Sequence, residues 1–530
     1  MKNTIILFTL CFAFQISVFA QSVPVIPQPQ TVNLAQGTFM LGADVKIISD
    51  DVNSQNASFL KAALEPALKL KIKKRGDKGI LLRINPDLSE ELGKEGYRLS
   101  ISTEKILIEA PETAGVFYGI QTLLQMLPQD LSENSKSFAL DAMEVKDYPR
   151  FPWRAFMLDE SRHFKGMVQV KKLLNEMAYL KMNVFHWHLT DDQGWRIEIK
   201  KYPKLTSVGG SRSDSQIGGW NSEMRSGEVH AGFYTQDQIK EIIAYADERH
   251  ITIVPEIEMP GHASAAIAAY PWLGTIGELK EVPVIFGKLP DSYNVADPKV
   301  YEFIEEVLAE VMALFPGKTI HIGGDEVKFD AWKESVEVQN FMKAQGLKSP
   351  ADLQVYFTNR VSNFIDGNKH RMMGWNEIMG SNVHEWQADE DFQLKETLAN
   401  SAIIHFWKGN LDLINDAVSK GYDIVNSYHV NTYLDYSYKE IPLKKAYEFD
   451  PIPKGLDEKY LDKVLGLGCQ MWGEWIPTVQ NMDRQVFPRL AAYAEVAWTN
   501  LDKKDYDQFK KNLDKTLARW ERLGIGSTSK

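Results

Sequence analysis

Residues 319–326 read TIHIGGDE, and this stretch contains the repeating unit that decides the fold. Its apolar, β-branched start predicts a short buried strand. Gly323 and Gly324 then allow the backbone to turn tightly and another molecule to approach closely. Asp325 and Glu326 follow at once, so the predicted strand ends in two adjacent carboxylates.

Seven other short runs rich in β-branched or aromatic residues resemble this one, and most are followed by a polar or aromatic cluster and a helical stretch. Eight strand-helix units in a chain of this length predict a (β/α)8 TIM barrel, whose active site lies at the C-terminal ends of the strands. The runs are 155–158, 183–189, 251–257, 319–322, 371–375, 402–407, 423–427 and 464–471.

Helix signals lie between several of these runs. Val170, Leu173, Leu174, Met177 and Leu180 form an apolar stripe at helical spacing. The pair Thr235 and Gln238 matches a capping box at a helix start. Asp297 followed by Pro298 predicts a further helix start, with proline at the first helical position.

The sequence predicts four segments. Residues 1–20 are a signal peptide, and 21–147 form a small N-terminal α/β domain with strands at 80–84 and 106–109 and a helix at 114–127. Two prolines in the DYPRFP stretch at 147–152 interrupt regular structure and mark a boundary. The catalytic barrel then spans 148–502, and 503–530 form a C-terminal helix packed on the barrel.

The first twenty residues have the three parts of a secretory signal. Lys2 supplies the positive charge, residues 5–14 are apolar, and the VFA stretch at 18–20 ends before Gln21 in small residues suited to cleavage. Leu10 before Cys11 disfavours a lipoprotein anchor. We therefore expect export to the periplasm or the medium, with Cys469 left as the only cysteine and no intramolecular disulfide.

Composition excludes several classes of partner. The 44% hydrophobic and 25% charged content is that of an ordinary globular protein. After the signal, no apolar run approaches the roughly 20 residues of a membrane span. A net charge of −11 argues against nucleic acid or an anionic membrane as partner, because both attract basic surfaces.

The ends of the eight predicted strands carry charged and aromatic residues that a barrel would bring to one mouth. Close like charges, such as those of Asp325 and Glu326, raise one pKa, which suits a general acid. Tryptophans at three strand ends could wall an apolar pocket, and other polar groups could bind vicinal hydroxyls. The tryptophans are Trp375, Trp407 and Trp472. The polar groups are Arg162, Asp435 and Glu474.

The histidines allow a second hypothesis. His186 and His188 alternate around Trp187, so both lie on one face of a strand. With His262, His321 and Asp325 they could form the metal site of a metal-dependent hydrolase. The alternative is that they are hydrogen-bonded in the barrel interior and orient the acids. A further hypothesis is that the same pocket belongs to a sugar-binding protein without catalytic activity.

The motifs together resemble glycoside hydrolase family 20, the β-N-acetylhexosaminidases. The matching segments occur in the family's order and span nearly the whole barrel, and 115–127 resemble the small domain that precedes it. The segments are 158–164 (LDESRHF), 183–196 (NVFHWHLTDDQGWR), 254–262 (VPEIEMPGH), 321–326 (HIGGDE), 374–377 (GWNE) and 471–474 (MWGE).

The resemblance implies an exo-acting, retaining enzyme in which the 2-acetamido group of the substrate attacks the anomeric carbon, giving an oxazolinium ion. Glu326 matches the general acid/base, and Asp325 the carboxylate that orients the acetamido N–H. Tyr433 matches the tyrosine that binds the acetamido oxygen, and the three tryptophans enclose its methyl group. Arg162, Asp435 and Glu474 match the residues that bind the ring hydroxyls.

Asp191 and His262 match a supporting pair near the general acid, and the resemblance implies no cofactor and no metal. Glu258 departs from the family, which usually has aspartate there, and its extra methylene moves the carboxylate by about 1.5 Å. N-acetylhexosamine-terminated glycans are the expected partners. The preference between GlcNAc and GalNAc, the natural glycan, and the choice between monomer and homodimer stay open.

Overall fold

A computed structural model describes residues 23–128, 137–279, 281–380, 384 and 397–526. The predicted signal peptide at 1–20 lies outside these residues. Among the described residues, no helix has both the length and the apolar character to cross a membrane.

The N-terminal segment forms a seven-stranded mixed sheet. Its hydrogen-bonded order, by number along the chain, is 1-7-5-6-4-2-3. The helix Thr113–Met126 packs on this sheet, and Gly119 lets the two approach, because a Cβ there would lie 2.6 Å from Ile108 Cγ2. The strands are Thr31–Gly42, Lys46–Ile48, Lys71–Lys73, Gly79–Ile84, Tyr97–Ile101, Lys105–Ala110 and Ser137–Asp147.

The predicted (β/α)8 barrel is confirmed. Eight parallel strands close on themselves, and the last pairs with the first, with Met471 opposite Leu158. In chain order, barrel strands 1 to 8 are Trp153–Asp159, Val184–His188, Thr252–Glu256, Thr319–His321, Arg371–Trp375, Ile403–Phe406, Asp423–Asn426 and Val464–Met471.

Helices cover the outside of the barrel, and the predicted start signals act as helix caps. The Thr235 hydroxyl accepts from the Gln238 N–H in a complete capping box, and the Asp297 carboxylate accepts from the Lys299 N–H. From the barrel onwards the α-helices are Met167–Tyr179, Lys204–Ser207, Gln236–Asp247, Ser264–Ala269, Pro298–Leu314, Asp330–Glu334, Val336–Gln345, Pro350–Gly367, Asp412–Ser419, His429–Thr432, Leu443–Glu448, Val479–Val486, Arg489–Trp498 and Tyr506–Arg522.

Shorter elements complete the chain. In the N-terminal segment two further α-helices, Ser54–Leu64 and Ser89–Leu92, accompany the sheet. Two small antiparallel pairs, Thr190–Asp191 with Gly194–Trp195 and Ser211–Arg212 with His230–Ala231, follow barrel strand 2. The 3-10 turns are Pro86–Leu88, Pro271–Leu273, Asn376–Met379, Glu458–Lys463 and Leu501–Lys503.

A buried polar cluster joins the N-terminal sheet to the barrel. Lys181 Nζ donates to Asp147 Oδ2 over 2.8 Å, and Asp147 Oδ1 accepts from Trp498 Nε1 over 2.8 Å. The C-terminal helix Tyr506–Arg522 lies against both parts, since Trp520 Nε1 donates to Glu176 on the barrel and Lys515 Nζ to the Gln125 carbonyl.

Candidate active site

A cavity of about 450 Å³ opens at the C-terminal ends of the barrel strands. This volume lies within the range of small-ligand sites. Ten of the eleven predicted site residues line it, and the eleventh, Trp375, is buried against them in the same aromatic cluster. The ten are Arg162, Asp191, His262, Asp325, Glu326, Trp407, Tyr433, Asp435, Trp472 and Glu474.

The barrel brings these residues together from all eight strands, although they lie up to 312 positions apart, from Arg162 to Glu474. Each follows the end of its strand or, for Trp375, forms the last residue of barrel strand 5. Asp325 and Glu326 follow barrel strand 4, whose end turns at Gly323 (φ 67°) and Gly324 (φ 86°). Glu326 itself has φ 51°, an uncommon conformation that sets its carboxylate apart from that of Asp325.

Three indoles and one phenol form a compact aromatic box. Trp407 and Tyr433 are parallel, with ring centroids 6.0 Å apart, and Tyr433 lies 5.9 Å from Trp472. Trp375 completes the box at 5.9 Å from Trp472 and 6.4 Å from Trp407. The predicted Tyr433 lies in the box, while the nearby Tyr428 packs on Phe406 outside it.

Asp325 is buried beside this box, and its Oδ1 has no hydrogen-bond partner among the described residues. Burial raises the pKa of Asp325 to about 8; His262 opposes the shift, and the carboxylates of Glu377 and Glu326 add to it. A buried polar atom without a partner is uncommon in proteins. Asp325 Oδ1 is therefore suited to accept a hydrogen bond from a ligand.

Glu326 lies between two cations. Its Oε1 is 3.0 Å from Lys288 Nζ, and its Oε2 is 3.7 Å from His262 Nε2. Burial alone would raise the pKa of Glu326, but the hydrogen bond and charge of His262 and the charge of Lys288 lower it to about 2. The raised pKa that the sequence predicts for the pair thus belongs to Asp325, and burial contributes more to it than repulsion by Glu326 does.

His262 links the acids to a second carboxylate group. Its Nδ1 lies 3.2 Å from Asp191 Oδ1 and 3.2 Å from Asp192 Oδ2. Burial would lower the pKa of His262, but Asp191 and the hydrogen bonds to Asp192 and Glu326 raise it well above its usual value. This environment favours the protonated form of His262, whose Nε2 faces Glu326 while Asp191 holds the ring in place.

The opposite wall carries the predicted hydroxyl-binding groups. Arg162 Nη2 lies 2.7 Å from Asp191 Oδ2 and 3.9 Å from Glu474 Oε1, and its Nη1 pairs with Asp159 at 3.0 Å. Asp435 Oδ1 is buried and has no partner among the described residues. Burial, with the nearby Glu474, raises the pKa of Asp435 well above its usual value. This wall therefore offers both donors and acceptors to a polyol.

Glu256 organises the barrel interior beneath the pocket. It lies 2.5 Å from His188 Nδ1, 3.0 Å from His186 Nε2 and 2.7 Å from His321 Nδ1, and it accepts from Trp375 Nε1 over 3.0 Å. The ligand atoms of His186, Glu256 and His321 lie within 4.8 Å of one another, so this cluster could hold a metal. The alternative is that Glu256, which is hydrogen-bonded to His188 Nδ1 and Trp375 Nε1, orients Trp375 with the other two histidines packed beside it.

Glu258, the departure from the family pattern, fills a gap above the glycine turn. A Cβ on Gly323 would lie only 1.8 Å from Glu258 Oε2. The backbone N–H of Glu258 donates to Thr190 Oγ1 over 2.9 Å, and its Oε2 is buried with no partner among the described residues. Burial, with Asp325 and Glu256 nearby, raises the pKa of Glu258 well above its usual value.

Sequence reasoning missed several residues at the pocket, including Lys288, Trp220 and Glu377. Lys288 and Trp220 line its mouth, and Glu377 accepts from Trp407 Nε1 over 3.0 Å and thereby orients that indole. Glu377 lies inside the GWNE motif, so its position next to Trp375 was an available signal. Lys288 and Trp220 lie on irregular segments without periodicity, and no local pattern singles them out.

Comparison with known proteins decides the family. Residues 151–501 match the model of the glycosyl hydrolase family 20 catalytic domain, and 22–148 match that of family 20 domain 2. The chain belongs to glycoside hydrolase family 20. This family-20 chain is therefore a glycoside hydrolase of the β-N-acetylhexosaminidase class, and the two matched ranges correspond to the barrel and the N-terminal sheet.

Individual relatives agree with this family-20 assignment. The chain is 35% identical to a β-hexosaminidase of Porphyromonas gingivalis over 96% of its own length and 65% of the relative's. A β-hexosaminidase of Vibrio furnissii is 34% identical, with 90% and 76% covered. The solved exo-β-N-acetylglucosaminidase of Vibrio harveyi, in complex with N-acetylglucosamine, superimposes with a TM-score of 0.82 at 31% identity, covering 97% of this chain and 80% of that one.

Proposed function

We propose that this family-20 enzyme removes terminal, non-reducing N-acetylhexosamine residues with retention of configuration, using the substrate's own acetamido group as the nucleophile. The observation that carries the proposal is the buried Asp325 Oδ1, which has no partner in the part of the chain that the structure describes, beside the box of Trp375, Trp407 and Trp472. An acetamido group needs an acceptor for its N–H and an apolar enclosure for its methyl, and this corner of the pocket offers both.

The proposed first step breaks the glycosidic bond. Glu326 donates a proton to the glycosidic oxygen while the acetamido oxygen attacks the anomeric carbon, which gives an oxazolinium ion and the free leaving alcohol. Asp325, as a carboxylate, accepts the acetamido N–H and stabilises the positive charge on the ring. The Tyr433 hydroxyl, in the aromatic box, is placed to donate to the acetamido oxygen.

The second step returns the enzyme to its starting state. Glu326, now a carboxylate, takes a proton from water, and the water oxygen attacks the anomeric carbon from the side that the leaving group left. The oxazolinium ring opens and regenerates the acetamido group on a β-configured product. His262 keeps Glu326 oriented through both steps, and the deep wall of Arg162, Asp435 and Glu474 holds the terminal ring, which supports exo cleavage.

A panel of aryl glycosides tests this function. We expect hydrolysis of N-acetyl-β-glucosaminides or N-acetyl-β-galactosaminides, and the faster of the two reports the sugar preference. The matched glucosides and N-deacetylated glucosaminides should react at least about a thousandfold more slowly, since a positioned nucleophile contributes that much and more. Equal cleavage of N-acetylated and N-deacetylated sugars would contradict the proposal. Activity that disappears on chelation would instead support the histidine metal site.

We also propose that the mature enzyme acts outside the cytoplasm, on exposed glycan ends in the periplasm or the medium. The positively charged start, apolar core and small-residue end of residues 1–20 support export. N-terminal sequencing of the protein secreted by its host should give Gln21 as the first residue. Sedimentation analysis of the same material distinguishes a monomer from a homodimer.

A further inference from the structure

The general acid proposed above has a cation on its outer side. Lys288 Nζ lies 3.0 Å from Glu326 Oε1, and the Lys288 side chain is 32% exposed. Trp375, Trp407 and Tyr433 of the aromatic box are buried, whereas Lys288 lies with Trp220, which is 58% exposed, at the mouth. In an exo-acting enzyme the leaving group extends toward the mouth. Lys288 therefore stands where the leaving group must meet Glu326.

We propose that Lys288 is a positioning residue that sets the protonation state of Glu326: it holds Glu326 as a carboxylate until the leaving group displaces its ammonium. The inference rests on the proposed function, in which Glu326 must be an acid in the first step and a base in the second. When the Lys288 ammonium lies away from Glu326, the protonated form of Glu326 is favoured. When it lies beside Glu326, the carboxylate form is favoured.

The distribution of protons between Asp325 and Glu326 explains why such a positioning residue is useful. Burial raises the pKa of Asp325 to about 8, while the charges of His262 and Lys288 overcome burial and lower that of Glu326 to about 2. At neutral pH the pair therefore holds one proton, on Asp325. Catalysis needs that proton on Glu326 and the charge on Asp325. His262 Nε2, 4.0 Å from Asp325 Oδ2 and 3.7 Å from Glu326 Oε2, lies beside both.

Other ionisable groups face Glu326 from several elements, and Lys288 is the cation among them on the exposed mouth. His262 is buried and fixed by Asp191, so it stays in place through the cycle. The groups are His262 after barrel strand 3, Lys288 in the segment before the helix Pro298–Leu314, Asp325 beside Glu326 in sequence, Glu377 and His384 after barrel strand 5, and Tyr436 after barrel strand 7.

Lys288 follows an anchored segment and a glycine. The segment is anchored by the Gln193 amide, which donates to the Ile285 carbonyl over 2.8 Å, and by the Phe286 N–H, which donates to Gln216 Oε1 over 2.8 Å. Gly287 follows, with φ 119° and no heavy atom within 4 Å of the position of a Cβ. The anchored segment and Gly287 thus place Lys288 beside Glu326.

The experiment compares Lys288→Met, Lys288→Arg and the remote control Lys510→Met, which removes an exposed lysine on the C-terminal helix. The readout is kcat/KM against pH for an aryl N-acetylglucosaminide with a poor leaving group. This parameter reports the free enzyme. It rises through the pKa of Glu326 and falls through that of Asp325, because the active form carries the pair's single proton.

We expect Lys288→Met to move the acid limb upward by about one pH unit, the effect typical of losing an adjacent opposite charge. The alkaline limb should stay in place, and Lys288→Arg should keep the wild-type profile. High salt should move the wild-type acid limb in the same direction as Lys288→Met, which tests the pair without any mutation.

An acid limb that is identical in wild type and Lys288→Met, or shifted equally by Lys510→Met, overturns the inference. Loss of activity in Lys288→Arg, with a wild-type circular dichroism spectrum, also overturns it, because a guanidinium should supply the charge. Failure of the wild-type enzyme to cleave any N-acetylhexosaminide would instead refute the proposed function, so the two failures are distinct.

Discussion

The carboxyl group of Glu258 occupies the space that a side chain on Gly323 would need. A Cβ on Gly323 would lie 1.8 Å from Glu258 Oε2, and Gly323 has φ 67°, a left-handed conformation that favours glycine. The turn that presents Asp325 and Glu326 therefore depends on the absence of a side chain at Gly323 and on the length of the side chain at Glu258.

Gly323→Ala should lower both stability and activity. The left-handed backbone alone costs about 1–2 kcal/mol for a residue with a Cβ, and the clash should add roughly 1–3 kcal/mol. Gly346→Ala is the matched control, because Gly346 has φ 75° and no heavy atom within 4 Å of its Cβ position. Urea unfolding of both variants measures the difference in their free energies of unfolding. Adding Glu258→Ala to Gly323→Ala should restore most of the free energy that the clash costs. Equal losses for the two single variants would rule out the steric role.

Glu326→Gln should reduce turnover in a manner that depends on the leaving group. An amide cannot donate the proton that a poor leaving alcohol needs, so kcat/KM should fall by about 10²–10⁴ for such substrates. Activated aryl leaving groups need little protonation and should lose much less in the first step. A series of aryl N-acetylglucosaminides measures this dependence, and a loss that is uniform across the series would remove Glu326 from the role of acid.

Asp325→Asn should abolish most activity and yet stabilise the folded protein at high pH. The pKa of Asp325 is raised to about 8 in the fold, so the folded state binds more protons than the unfolded chain between about pH 4 and pH 8. The stability contributed by this bound proton is present at low pH and lost as the pH rises through the folded pKa. An asparagine avoids that loss.

Thermal unfolding at several pH values measures this effect. We expect the Tm of Asp325→Asn to exceed that of the wild type by about 1–4 °C at pH 8.5 and by less at pH 5. Asp237→Asn, an exposed position with 92% side-chain exposure, is the control and should change neither value. A lower Tm for Asp325→Asn at pH 8.5 would show that burial does not oppose the charge.

Glu256→Gln should destabilise the barrel and reduce turnover together. Burial would lower the pKa of His188, but Glu256 and Asp191 raise it to about 10, so Glu256 and His188 form a buried ion pair. Breaking one partner of such a pair costs about 3–5 kcal/mol, and the indole of Trp375 loses its acceptor. Glu248→Gln removes an exposed carboxylate beside the largely buried Arg249, which keeps its other hydrogen bonds, and should cost less than about 1 kcal/mol. Denaturant unfolding and kcat values of both variants provide the comparison.

The barrel and most of the pocket could be predicted from the sequence because strand periodicity and strand ends are local properties. The eight predicted runs coincide with the eight barrel strands within one or two residues; the run at 251–257, for example, is the strand Thr252–Glu256. In a parallel barrel the ends of all strands share one face, so a residue that follows a strand is automatically placed at the mouth.

The position of Lys288 could not be predicted in this way. Its segment is fixed by long-range contacts from the side chains of Gln193 and Gln216, at separations of 92 and 70 residues, and no local pattern specifies such contacts. The protonation of the acid pair was also beyond the sequence. Adjacent carboxylates indicate that one pKa is raised, but the neighbours that decide which one, Lys288 and His262, become visible only in three dimensions.

Closure of the barrel has a consequence for how the enzyme must be made. Strand Val464–Met471 lies between strands Asp423–Asn426 and Trp153–Asp159, and it leads directly to Trp472 and Glu474. A nascent chain that has not yet emerged past Glu474 lacks the last strand of the barrel and two side chains that line the pocket. Synthesis must therefore pass Glu474 before the pocket can bind a sugar, and a proteolytic or cloning product that stops earlier would be inert.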